Sequence, residues 1–100
     1  MTTTIEATNF SLTDDTKLAI EEKLQKAMRG TRPTALHVVL TRSTHHNKGG
    51  VYECEVHVHL PKKILKAEIT DGEDIITSIH QAGKKLERQL EKYKAKRTQA

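Results

Sequence analysis

The clearest pattern in the chain is a strict alternation over Val51 to Leu60, VYECEVHVHL. Tyr52, Cys54, Val56, Val58 and Leu60 fall on one side, and Glu53, Glu55, His57 and His59 on the other. That predicts a strand with one buried and one wet face, as in an antiparallel sheet covered on a single side. Leu36, Val38 and Leu40 alternate within a strand over Thr34 to Arg42, and Leu65, Ala67 and Ile69 within one over Ile64 to Thr70. A shorter strand is expected over Thr3 to Thr8. Elsewhere the period changes from 2 to about 3.6. Ile20, Leu24, Ala27 and Met28 form the apolar stripe of a helix over about 13–29. Thr13 caps it, Asp14 and Asp15 suit its first turn, and Gly30 and Pro33 stop it. Ile75, Ile79, Ala82, Gly83, Leu86, Leu90 and Tyr93 form a longer stripe over about 74–96, with Asp74 as the cap. His45 to Gly50 (HHNKGG) reads as a turn or mobile loop, Pro61-Lys62-Lys63 as a tight connection, and Asp71-Gly72 as a turn.

The resulting order, βαβββα, predicts an α+β two-layer sandwich. A four-stranded, mostly antiparallel sheet carries two helices packed on one face. The 100 residues suffice for one domain, 1–100, with one modest core and little room for a deep catalytic cleft. The chain has a single cysteine, Cys54, so no intrachain disulfide is available, and the alternation makes that thiol a buried core residue. No apolar run approaches the roughly 20 residues of a membrane span. The first ten residues lack the charged and apolar regions of a signal peptide. A soluble, cytoplasmic protein is expected.

Charge refines this picture. The net charge is +4, but Lys84 to Arg97 alone holds seven Lys/Arg against two Glu, a local excess of +5. Lys85, Arg88, Lys92 and Lys96 recur at i, i+3, i+7 and i+11, one stripe away from Leu86 and Leu90. Lys84 adjoins it, and Lys23, Lys26 and Arg29 form an i, i+3, i+6 ridge on the first helix. Side by side, the two ridges would flank one groove. Cations so arranged neutralise phosphates without reading bases. Glu87 and Glu91 offer pairing within the helix that would blunt the field. The chain has three aromatic residues, Phe10, Tyr52 and Tyr93, and the latter two fall on core-facing positions. A base-stacking platform is therefore not expected, and structured RNA held by its backbone fits better than single strands.

His57 and His59, two apart on the wet strand face, could chelate zinc or copper, with His37 on the same face if the strand registers agree. Cys54 points the other way and no carboxylate completes a ligand set, so no metal or cofactor is expected, and the histidines read as polar strand formers. No phosphate loop, nucleophile elbow or Walker motif is present, so an enzyme is not expected.

HVVL (37–40), LPKKILKAEITDGEDIITSI (60–79) and KKLERQLEKYKAK (84–96) together resemble the ribosome hibernation promoting factor family, also called ribosome-associated inhibitor or sigma-54 modulation proteins, in its short form. The resemblance implies a fold related in shape to double-stranded RNA-binding domains. It also implies a partner, the small ribosomal subunit and its rRNA, in the channel used by mRNA and tRNA, and silencing of translation in stress or stationary phase. Lys85, Arg88, Lys92 and Lys96 would contact rRNA backbone, with Lys23 and Lys26 helping. The short form pairs ribosomes only with a separate modulation factor, and a monomer in isolation is expected. The chain departs from the family where it reads MRGTRP (28–33), Ile76 and His80. The residues leave other readings open: a generic double-stranded RNA binder, a protein-interaction module modulating a transcription factor, and a metal-binding sheet.

Overall fold

A computed structural model describes residues 2–43 and 51–98, the side chains of residues 43, 71 and 95–98 excepted. Its elements are strand β1 (Thr2–Thr8), helix α1 (Asp14–Ala27), strands β2 (Ala35–Ser43), β3 (Val51–Leu60) and β4 (Lys63–Gly72), and helix α2 (Ile75–Thr98). The expected loop over His45 to Gly50 lies outside the described residues.

The sheet order is β1-β2-β3-β4. β2–β3 and β3–β4 are antiparallel, while β1 runs parallel to β2, which follows from the crossover through α1. The alternation seen in the sequence sorts the two faces. Leu36, Val38, Leu40, Cys54, Val56, Val58, Leu60, Leu65, Ala67 and Ile69 are all buried on one face. Ile20, Leu24 and Met28 of the first helical segment and Ile79, Ala82, Leu86 and Leu90 of α2 close the same cluster. Both helices thus cover one face and leave the other open. Burial and the neighbouring Glu55 charge push the Cys54 thiol up to about 12.

α1 begins as expected: the Thr13 hydroxyl accepts from the Thr16 backbone N–H at 3.1 Å. It ends earlier, with Met28 as C-cap and Gly30 in the left-handed region at φ +88°. Arg29 therefore lies beyond the helix, in the turn that leaves it. At α2, Asp74 accepts from the Thr77 N–H at 2.7 Å and from the Thr77 hydroxyl at 3.0 Å.

Asp71-Gly72 is not a turn. β4 runs through Gly72, which pairs with Tyr52, and the bend falls at 73–74. Cys54 pairs with Ile69 and Tyr52 with Gly72, so β4 carries one extra residue there and the register shifts. Gly72 is required by crowding. A Cβ on it would stand 1.6 Å from Ser78 Oγ, 2.9 Å from Ser78 Cβ and 3.1 Å from the Tyr52 carbonyl. Ser78, the one polar residue in the described core, spends its hydroxyl on the Asp74 carbonyl at 2.7 Å.

Candidate nucleic-acid interface

Two hydrogen bonds fix how α2 lies on the sheet. Lys85 Nζ donates to the Glu68 carbonyl at 2.9 Å, and Gln89 Nε2 to the Lys66 carbonyl at 2.7 Å. Four residues forward on a helix cover about 6 Å, and two residues back on a strand cover about 6.6 Å, so the ladder is matched in pitch and α2 runs antiparallel to β4. These side chains satisfy carbonyls of a strand with no neighbour on that side, which closes an edge that could otherwise pair with another chain.

The opposite flank of α2 meets α1. Gly83 stands where an added Cβ would touch Ala27 Cβ at 3.8 Å, and Lys94 Nζ donates to the Arg29 carbonyl at 2.8 Å. α1 runs back between the parallel strands β1 and β2, and α2 runs antiparallel to β4, which points the same way as β2, so α1 and α2 run in the same direction. Helical periodicity then places the remaining cations. Lys85 and Lys92 lie on the β4 flank. Lys84 and Arg88 lie on the outer crest, and Lys23 beside Ala27 on the α1–α2 seam. All five are exposed, as are Lys26 and Arg29. The expected groove between two facing basic ridges is not present: the crest of α2 stands between Lys23 and Lys85/Lys92. Lys26 and Arg29 instead share a shallow depression with Glu22 and Gln25. The side chain of Lys96 is outside the described residues.

The basic surface therefore wraps the β4 edge. Continuing the ladder past Gln89 brings Tyr93 to the β3–β4 turn, where it lines a cleft with Leu60, Pro61 and Lys62. Lys62 and Lys63 thus extend the α2 stripe at its far end. Sequence reading placed them only in a connection. The signal it lacked was the direction of α2 on β4, which no spacing within the helix contains. Tyr93, expected in the core, packs against it while remaining half-buried. No ion pair ties Lys84, Arg88 or Lys92 to another described residue, so none of the three is held in a close pair with Glu87 or Glu91.

The open face of the sheet has the other sign. Glu6, Glu53, Glu55 and Glu68 share it with Lys66 and three histidines. Lys66 is neutralised there, its ammonium 3.1 Å from Glu55 and 3.9 Å from Glu68. The Lys66 hydrogen bond holds the Glu55 carboxyl below its ordinary range. His37 and His57 are register partners with ring centroids 6.1 Å apart, and His37 Nε2 sits 3.4 Å from Glu6 without a hydrogen bond. Among the described residues no three His, Cys, Asp or Glu side chains converge as a metal ion requires. Among the described residues no helix is long and apolar enough to cross a membrane.

A family model described as sigma 54 modulation protein / S30EA ribosomal protein matches residues 3–98. Among solved structures, a ribosomal subunit interface protein from Coxiella burnetii is similar at 20% identity and a TM-score of 0.75, covering 95% of this chain and 99% of that one. The N-terminal domain of Thermus thermophilus Protein Y is similar at 22% identity and a TM-score of 0.72, covering 93% of this chain and 99% of that one. Both likenesses are of fold. No curated protein matches the chain significantly.

Proposed function

The chain belongs to the sigma 54 modulation protein / S30EA ribosomal protein family, and from that premise we propose that it binds the small ribosomal subunit and silences translation. In this reading it occupies the channel used by mRNA and tRNA and holds rRNA through its phosphates, in the cytoplasm, under stress or in stationary phase. The observation that carries the reading is the basic belt along the β4 edge. Lys84, Lys85, Arg88 and Lys92 on α2 run on into Lys62 and Lys63, while the acidic face of the sheet points the other way. A phosphate backbone is attracted to one side only, so the belt orients the protein as well as binding it. In this reading Lys96, whose spacing in the sequence continues the stripe, also contacts rRNA, and Lys23, Lys26 and Arg29 form a second, separate contact. Each cation that displaces a counterion adds to the salt dependence of binding.

The test is co-sedimentation with purified ribosomes at low and high salt, wild type beside Lys84→Glu/Arg88→Glu/Lys92→Glu. The side chains of these three make no hydrogen bond or ion pair with other described residues, so the substitutions break no described contact, and a thermal melt of the variant separates loss of charge from loss of fold. Wild type should travel with the small subunit at low salt, leave it at high salt, and inhibit translation in a purified system. The triple variant should stay at the top of the gradient. If wild type also stays at the top at low salt, the ribosome reading fails. If wild type binds any RNA duplex as tightly as it binds ribosomes, the generic double-stranded binder replaces it.

A further inference from the structure

At the far end of the belt, the α1–β2 and β3–β4 connections and helix α2 meet around an open cleft of about 730 Å³ lined by Gly30, Thr31, Arg32, Leu60, Pro61, Lys62 and Tyr93. Its size is that of a small-ligand site. The walls are fixed by hydrogen bonds. The Thr31 backbone N–H and hydroxyl both donate to the Met28 carbonyl, at 3.1 and 2.6 Å. The Thr34 N–H and hydroxyl both donate to the His59 carbonyl, at 2.7 and 3.1 Å, tying the α1–β2 connection to the end of β3. Lys94 braces the Gly30 turn from α2 through the Arg29 carbonyl. A Cβ on Gly30 would lie 2.7 Å from Lys94 Nζ, so the turn and the brace are fitted to each other.

The chemistry of the lining is divided. Leu60, Pro61 and the Tyr93 ring supply an apolar and aromatic wall, and Arg32 and Lys62, both exposed, supply two cations at the rim. Neither cation is ion-paired with another described residue. An aromatic wall beside paired cations suits a group that is flat and apolar at one end and anionic at the other. An unstacked nucleotide has that form, with a base to pack on an aromatic ring and a phosphate for Arg and Lys.

We propose that this cleft holds one unstacked nucleotide of a bound RNA, its base against Tyr93, Leu60 and Pro61 and its phosphate between Arg32 and Lys62. The proposal rests on the ribosome-binding reading and deepens it: the belt grips backbone, and the cleft anchors one base at its end. The cleft opens where Lys62 ends the belt, so a strand leaving the belt reaches it without crossing acidic surface.

The experiment is an NMR titration of the 15N-labelled full chain with two probes, a single-stranded RNA hexanucleotide and the nucleoside 5′-monophosphates. With the hexanucleotide, amide shifts should centre on Gly30 to Arg32, Lys62 and Tyr93. The monophosphates should move the same signals only at much higher concentration. Tyr93→Leu should weaken the hexanucleotide about 10-fold, with the dependence of log K on log salt unchanged, since a stacking contact is lost and no charge. Tyr93→Phe should bind as wild type. Arg32→Ala/Lys62→Ala, at exposed positions that leave the core alone, should weaken binding and flatten the salt slope by about two cations' worth. Shifts confined to Lys84–Lys92, or a Tyr93→Leu variant that folds and binds as wild type, would overturn the cleft and leave the belt standing. Monophosphates binding as tightly as the hexanucleotide would assign the cleft to a free nucleotide and also overturn it. Failure of the unaltered chain to sediment with ribosomes strikes the ribosome reading instead, and the titration reads the cleft separately.

Discussion

The Lys85 ammonium and the Glu68 carbonyl, 17 residues apart in sequence, meet at 2.9 Å across the seam between α2 and β4. Lys85 therefore closes the sheet edge and also contributes charge to the belt. Lys85→Met should lose both functions, while Arg88→Gln should lose only the charge. Urea denaturation should find Lys85→Met less stable by under about 1 kcal/mol, because the bond is exposed, and Arg88→Gln unchanged. RNA binding by each should lose about 0.7–0.9 of a unit in the slope of log K against log salt, as one phosphate contact is removed.

Two glycines predict opposite outcomes. Gly83 lies inside α2 with room for a methyl group, since a Cβ there meets Ala27 at an ordinary 3.8 Å. Gly83→Ala should raise stability by about 0.5–1 kcal/mol, through the entropy a mid-helix glycine costs. Gly72→Ala should lower it by about 1–3 kcal/mol, because its Cβ would overlap Ser78. Adding Ser78→Ala should recover part of that loss: the Oγ at 1.6 Å is removed while the Cβ at 2.9 Å remains. Thermal melts of the three variants beside wild type decide both points.

The cap of α2 predicts a pH dependence in acid. Hydrogen bonds from the Thr77 N–H and then its hydroxyl hold the Asp74 carboxyl below its ordinary value of 3.8. A carboxyl depressed in the folded state contributes stability that is present above the unfolded value and lost as pH falls through the folded one. Asp74→Asn should keep the acceptor and remove this titration. Denaturation midpoints of the two proteins should then diverge above pH 4 and converge as the pH drops below it.

Cys54 should be silent to thiol reagents in the native protein. It is fully buried, and the neutral thiol is favoured far above neutral pH. Modification by a chromogenic disulfide at pH 8 should proceed only through opening of the fold. Its rate should rise with urea in proportion to the unfolded fraction, and Gly83→Ala should slow it. Rapid stoichiometric labelling without denaturant would show β3 to be open at its centre.

Patterns of period 2 and 3.6 carried the element order, because each face of a strand or helix meets one solvent and the sequence must say which. Thr13 and Asp74 were legible as caps because a cap acts within three residues. The core side of β3 was legible down to Cys54 for the same local reason. The run of β4 through Gly72 was not, since it depends on a close approach to Ser78 of α2, whereas α1 ends just before the Gly30 that marks its stop in the sequence. Spacing also showed that Lys85, Arg88 and Lys92 share one side of a helix. Which neighbour that side meets depends on two hydrogen bonds to β4 and one methyl-sized contact with α1. A helix can be rotated and translated on a sheet without changing a single spacing within it. Only the packed structure therefore decided that the cations wrap the β4 edge instead of facing Lys23, and that Tyr93 reaches Lys62 at the mouth of a cleft.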